Sequence, residues 1–353
     1  MTKINILTPG FTTPNGRAFL FPIIKNYHKL REQKLYVNFF DKEKNDLFDS
    51  DFLCIDSKFY KDQWLSNDKD TLNKIYNFKK RVGSLFFFDT TDSSSWIHND
   101  MLNISDKYLK SQILKNKKLY TKSFYGNRIY SDYYHKNFSI NDKNIVRSIP
   151  VNKNLLNKIE IFWNTGLADY SLIGPALMKL YNYIPTISLL KYKKYKPIRK
   201  TIDINCRMGI SYGRKSISFQ REKIKNIFKG YISNNKINRI RYFNELRKSK
   251  IVISPFGWGE ITLKDFETFL TQGLLIKPSM DHLDTWPNFY YPNKTFIPFS
   301  WDLKDLHEKI IEILENFSLY NDIACWGREN YLYFASENAS EDFIKRFKNI
   351  FIK

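Results

Sequence analysis

The chain has 353 residues, 42% of them hydrophobic, and carries 57 Lys and Arg against 36 Asp and Glu, a net charge of +21. This length and apolar content suit two domains with buried cores, and they exclude a disordered tail, a collagen-like repeat or a small disulfide scaffold. So strong a positive field favours anionic partners: nucleotides, nucleic acid, acidic lipid headgroups or acidic glycans. The 29 Phe and 23 Tyr suit clefts that grip rings, and an A+T-rich genome enriches the same residues, with Lys and Asn, without functional meaning. Lys outnumbers Arg, which leans away from sequence-specific base reading, where the planar guanidinium serves better.

In chain order, Ile4 to Leu7 predicts a first strand, and FTTPNGR (Phe11 to Arg17) a loop before a helix from about Ala18 to Glu32. Strands follow at Leu35 to Phe40 and Phe52 to Ile55, then a helix at Thr71 to Arg81 and a strand at Ser84 to Phe88. Strand and helix alternate, as in an open parallel sheet. Further strands are expected near Ser148 to Val151 and at 184–190, with a helix around 175–181 between them. Residues 191–200 are basic, aromatic and proline-bearing, and read as a linker. Alternation then resumes: strand Thr201 to Cys206, helix Phe219 to Phe228, helix Ile240 to Lys248, strand Lys250 to Ser254, strand Leu274 to Lys277, strand Thr295 to Phe299, helix Leu303 to Asn316 and a last amphipathic helix Glu341 to Ile352. The expected fold is α/β, with two Rossmann-like doubly wound domains facing a cleft. They span 1–190 and 201–335, and the 336–353 segment packs back on the first.

The most informative stretch is SPFGWGEITLKDFETFLTQGLLIKP, residues 254–278. An apolar strand ends at Pro255. Gly257 and Gly259 supply backbone freedom and close approach, and a helix then opens. Its N-terminus offers free N–H groups and partial positive charge, which suits phosphate. Lys264 adds a full charge one turn in. Glu260, Lys264 and Glu267 share a face, and Glu267 is placed to accept hydrogen bonds from sugar hydroxyls. The basic loop CRMGISYGRKSISFQRE brings Arg207 and Arg221 toward the same phosphates.

The pattern Pro255, Gly257, Trp258, Gly259, Lys264, Phe266, Glu267 resembles the donor-binding segment of exostosin-like glycosyltransferases, which have the GT-B fold. It departs from them in carrying Lys264 where Arg is usual. The resemblance implies that the C-terminal domain binds a nucleotide-diphosphate sugar through Arg207, Arg221, Gly257, Trp258, Gly259, Glu260, Lys264 and Glu267. It implies an acceptor in the N-terminal domain, bordered by Gly10, Gly16, Arg17 and Asn164. GT-B transfer generally uses no metal, so neither metal nor cofactor is expected. Asp89 and Asp92, just past a strand end in FFFDTTDSSSW, are the candidate bases for an inverting transfer. The triplets Asp49–Asp51 and Asp68–Asp70 lack an apolar strand before them and read as turns and caps.

The implied function is sugar transfer to a glycan or lipid-linked acceptor, as in surface polysaccharide or lipopolysaccharide assembly. Two rivals stand beside it. A DNA-base-modifying glycosyltransferase is suggested by the charge, and steep loss of duplex binding with salt identifies it. A non-catalytic glycan- or nucleotide-binding protein of the same fold differs in lacking donor hydrolysis. Three scattered cysteines without a CxxC pair suggest a reducing compartment, and no run approaches the roughly 20 apolar residues of a membrane span. MTKINILTPG is broken by Pro9 and Gly10 and does not read as a secretory leader, so the expected location is cytoplasmic, at most peripheral to an anionic membrane.

Overall fold

The computed structural model describes residues 1–61, 69–180, 195–230 and 235–352. The first sheet contains β1 (Thr2–Leu7), β2 (Leu35–Phe40), β3 (Phe52–Asp56), β4 (Ser84–Asp89), β5 (Lys107–Lys110) and, beyond a short β6 (Gln112–Leu114), β7 (Ile159–Ile161). Its order is β2-β1-β3-β4-β5-β7 and every pairing is parallel. The second sheet contains β8 (Ile202–Asn205), β9 (Ser249–Ile253), β10 (Leu274–Pro278) and, after β11 (Leu283–Thr285), β12 (Ile297–Phe299). It is also all parallel, ordered β12-β10-β9-β8. Parallel strands buried on both faces must be nearly all apolar, and Ile251, Val252 and Ile253 are each fully buried. The expected two α/β halves are therefore present, in the two-lobed arrangement that the GT-B resemblance implies.

Several elements differ from the sequence reading. No strand forms at 148–151, where Tyr125 and Arg147 make only an isolated bridge; the first sheet instead continues through β5 and β7. The first helix begins earlier, at Pro14, and a second starts at Tyr27. A 19-residue helix, Phe317–Ala335, follows Leu306–Glu315. The strand expected at 184–190 and the start of the 191–200 linker lie outside the described residues.

The halves are joined by more than the chain between them. β11 pairs antiparallel with β6, so a strand from each half forms a common ladder. Thr285 Oγ1 donates to the Ser111 carbonyl at 2.8 Å, and Asn164 Nδ2 donates to Thr285 Oγ1 at 3.0 Å. The C-terminal helix Ser340–Phe351 lies on the first sheet, with Phe351 stacked on Phe86 (5.5 Å) and Phe347 on Trp163 (6.0 Å). Five buried apolar side chains on that helix, Phe343, Ile344, Phe347, Ile350 and Phe351, each contribute about 1.5–3 kcal/mol by leaving water. Among the described residues no helix is long and apolar enough to cross a membrane.

Candidate functional site

Ligands of open α/β sheets sit outside the carboxyl ends of the strands. Here such ends from both sheets meet at a cleft of about 390 Å³. Asn15 and Ala18 (after β1), Thr90 to Asp92 (after β4) and Gln112 face it from one half; Tyr212, Arg221 and Gly257 to Gly259 face it from the other. Ile261 to Leu263, at the N-terminus of helix Leu263–Leu270, complete the second wall. That helix is fixed by a capping box in which Thr262 and Asp265 satisfy each other's backbone N–H. Asp265 is itself neutralised beneath the cleft by Lys277 at 3.1 Å and by the Tyr290 hydroxyl at 2.8 Å.

The glycines of the loop act through room rather than backbone freedom. Neither Gly257 nor Gly259 has a positive φ, in contrast to Gly10, Gly126 and Gly230. A Cβ on Gly259 would lie 2.1 Å from the Asp92 carbonyl oxygen, so the halves close on one another only with glycine there. Gly259→Ala is expected to destabilise the protein by about 1–3 kcal/mol through overpacking, read by melting temperature.

Arg221 is the central cation. It is buried, donating through Nε to the Phe256 carbonyl (2.6 Å) and through NH1 to the Gly209 carbonyl (3.0 Å). Those bonds hold both loops of the second wall, and no carboxylate within salt-bridge distance cancels the charge among the described residues. Lys264 lies one layer beneath, its Nζ donating to the Arg207 carbonyl. Burial lowers its pKa to about 8, against the favourable pull of Cys206, Glu267 and Asp265. Trp258 is 41% exposed at the rim, edge-on to Tyr212.

The remaining predicted residues support these walls without lining the cleft. Arg207 is spent on Glu245 in a bidentate pair (2.5 and 2.8 Å). Glu260 is fully buried and reaches across to the other half, accepting from Ser94 N (3.1 Å) and Ser94 Oγ (2.6 Å). Burial pushes its pKa up, but His282, 3.8 Å away, and the Ser94 bonds outweigh this and hold it below the usual carboxylate range. Glu267 is buried against Arg239 (2.8 Å), which also ties down the Tyr170 and Ser171 carbonyls. The helix is thus buried along most of its length, and Glu267 on it, like Glu260 before it, is engaged as a fastener to neighbouring elements.

On the opposite wall Asp92 is exposed to the cleft, with one oxygen held by Asn15 Nδ2 at 2.9 Å. Asp89 is not available to a substrate. It is fully buried, 2.5 Å from Lys110 Nζ and 2.6 Å from the Tyr108 hydroxyl. Burial raises its pKa, and Lys110 more than reverses this. Gly10 and Gly16 shape the turn into the first helix, where a Cβ on Gly16 would meet the Gly10 carbonyl at 2.7 Å. Asn164 is fully buried as the cap of a short turn. Arg17 is buried, with NH1 lacking a hydrogen-bond partner. Asn15, between Gly16 and Pro14, is the residue that faces the cleft, as do Tyr170, Gln112 and Tyr212, which the sequence did not single out. Tyr212 lies in the very loop that was singled out for its arginines. Asp49 and Asp51 fasten Lys3 by side chain and backbone, and among the described residues no group of three or more His, Cys, Asp or Glu is placed to hold a metal.

No family model and no curated protein matches the chain. Among solved structures, the glycosyltransferase from Rickettsia africae ESF-5 aligns with a TM-score of 0.46 and 10% identity over 99% of this chain and 97% of its own. HepE of Anabaena in complex with UDP-glucose aligns at 0.47 and 9% identity over 99% and 100%. The DNA-modifying enzyme beta-glucosyltransferase aligns at 0.46 and 14% identity over 99% and 100%. These are likenesses of overall outline; the exostosin-like resemblance rests on the 255–267 motif.

Proposed function

We propose that the chain is a glycosyltransferase that takes its sugar from a nucleotide-diphosphate donor. The observation that carries this reading is the second wall of the cleft: the helix N-terminus at Leu263, glycine-bounded backbone at Trp258, and the Arg221 guanidinium without a carboxylate. Such a wall stabilises negative charge developing on a leaving diphosphate by preorganised N–H groups and a fixed cation. The first wall is neutral apart from Asp92, and presents hydroxyl and amide groups suited to a hydroxyl-bearing acceptor. Asp92 is the base in an inverting transfer: one oxygen is anchored by Asn15, and the carboxylate takes the proton from the attacking hydroxyl as the sugar's bond to the diphosphate breaks. The acceptor is a glycan or lipid-linked sugar, the class that the motif resemblance implies. DNA is the second reading, favoured by the net charge of +21.

A thermal-shift panel of nucleoside diphosphates and their sugars tests the donor, since a ligand of the native state raises the melting temperature. A panel without a single hit contradicts the reading. The hit is expected to weaken with pH. Lys264 in the free protein keeps its charge below a pKa of about 8. An anion above it raises that pKa, so the contribution is full below 8 and is lost as pH rises past it. Titrations at pH 7 and pH 9.5 should differ up to about tenfold in Kd, and Lys264→Met should flatten the difference.

A further inference from the structure

Outside the diphosphate wall lies a second cationic feature that the donor reading leaves unused. Arg128, just before helix Ile129–Phe138, and Arg214, just before helix Lys215–Ile227, come from opposite halves and converge on one acceptor, the Gly126 carbonyl, at 2.9 and 3.0 Å. Both also pack on the Trp258 indole, 5.1 and 5.9 Å from its centroid. Both are half-buried, and among the described residues neither has a carboxylate within salt-bridge distance. The nearest candidate, Asp142, spends its two oxygens on Ser216 N (2.8 Å) and Ser216 Oγ (2.7 Å). Burial first, and then the charge of Arg128, lower the pKa of Arg214. Apart from the Trp258 carbonyl, which accepts from Arg128 Nε at 2.7 Å, the pair has among the described residues only that shared oxygen as hydrogen-bond partner, and two like charges so placed attract an anion. They are set apart from the donor's cation, because Arg221 stacks on Tyr212 (5.1 Å) and Tyr212 meets Trp258 edge-on (5.7 Å), so two rings intervene.

We propose that this rim binds a single-stranded segment of nucleic acid, a phosphate lying between Arg128 and Arg214 and a base against the exposed part of the Trp258 side chain. A ligand with phosphate and flat ring at adjacent positions fits a guanidinium pair flanking an open indole, the combination that single-strand binders use without reading sequence. A lipid headgroup supplies the phosphate but no ring. The net charge of +21 supplies the long-range attraction. The role of the strand as acceptor rests on the glycosyltransferase reading; its binding does not.

The test is fluorescence anisotropy of the full chain with a labelled 12-mer oligonucleotide across a salt series, beside vesicles of neutral and anionic lipid and a nucleoside diphosphate titration. Expected are oligonucleotide binding that weakens with salt, and a loss of at least tenfold in R128Q/R214Q, with the log–log salt slope reduced by about 0.7, the value for one phosphate of a single strand. R128K/R214K should keep the slope, because it keeps the charge. Trp258→Ala should cost about tenfold through lost stacking. Nucleoside diphosphate affinity should be unchanged in R214Q, which leaves the bond from Arg128 to the Trp258 carbonyl in place. Melting temperatures identify any variant that fails to fold, and the Lys pair then decides. Unchanged oligonucleotide affinity in R128Q/R214Q overturns the proposal. So does binding to anionic vesicles with none to oligonucleotide. Loss of diphosphate affinity in R214Q also overturns it, by assigning the rim to the donor. If the wild-type chain binds oligonucleotide and no nucleoside diphosphate, the donor reading fails and this one stands.

Discussion

Lys110→Met is expected to destabilise the protein by about 3–5 kcal/mol, the cost of leaving a buried carboxylate without its counter-ion. Lys110 and Asp89 are both completely buried and 2.5 Å apart at the adjacent ends of β5 and β4. Methionine fills the volume but supplies no donor, so Asp89 keeps only the Tyr108 hydroxyl and Thr91 N. The Thr90–Asp92 loop then loses its floor, and with it the cleft wall. The pH dependence has a definite sign. The folded pKa of Asp89 is below the ordinary aspartate value of 3.8, so the pair's contribution is present above that value and is lost as pH falls through the folded pKa. Chemical denaturation at pH 7 measures the loss. The paired change Asp89→Asn/Lys110→Met should recover part of it, because removing both charges leaves neither stranded.

Arg221→Ala is expected to reduce kcat/KM by about 100- to 1,000-fold, the range for removal of a preorganised electrostatic group. Two effects combine. The cation facing the diphosphate disappears, and the Phe256 and Gly209 carbonyls lose the donor that sets both loops. Arg221→Lys keeps the charge but cannot bond both carbonyls through a planar fork, and it should recover only part of the rate. Steady-state kinetics with the donor identified by thermal shift reads both variants. Equal rates for Arg221→Ala and the parent chain would remove Arg221 from the diphosphate site.

The sequence made the scaffold of the site legible, and left its wiring hidden. β1 to β4 and β8 to β10 follow from short apolar runs between turn residues, since parallel strands buried on two faces leave little choice of composition. The 254–262 loop stood out for the same local reason. β5 was hidden because its sequence, KYLK, begins and ends in lysine. Lys110 is buried by its pairing with Asp89, and nothing local to either residue reveals that. Asp89 and Asp92 have equal claims as bases from sequence. Only two residues of chain, Thr90 and Thr91, separate the sealed Asp89 from Asp92 at the cleft surface. Glu260 and Glu267 were placed on one helical face, yet Glu260 precedes the helix and binds Ser94, and Glu267 binds Arg239. Their partners lie 166 and 28 residues away in sequence, beyond the reach of periodicity. The role of Gly259 was misread for the same reason: the Asp92 backbone that requires it belongs to the other half.

The central claim is that the backbone from Gly257 to Leu263, with Arg221, receives the diphosphate of an activated sugar. A crystal structure of the chain soaked with the nucleoside diphosphate that raises its melting temperature tests this most directly. The account predicts the diphosphate against the amides between Trp258 and Leu263 other than that of Thr262, which the capping box takes, with a phosphate oxygen within hydrogen-bond distance of the Arg221 guanidinium. A diphosphate bound elsewhere, with this cleft occupied by solvent alone, would contradict it.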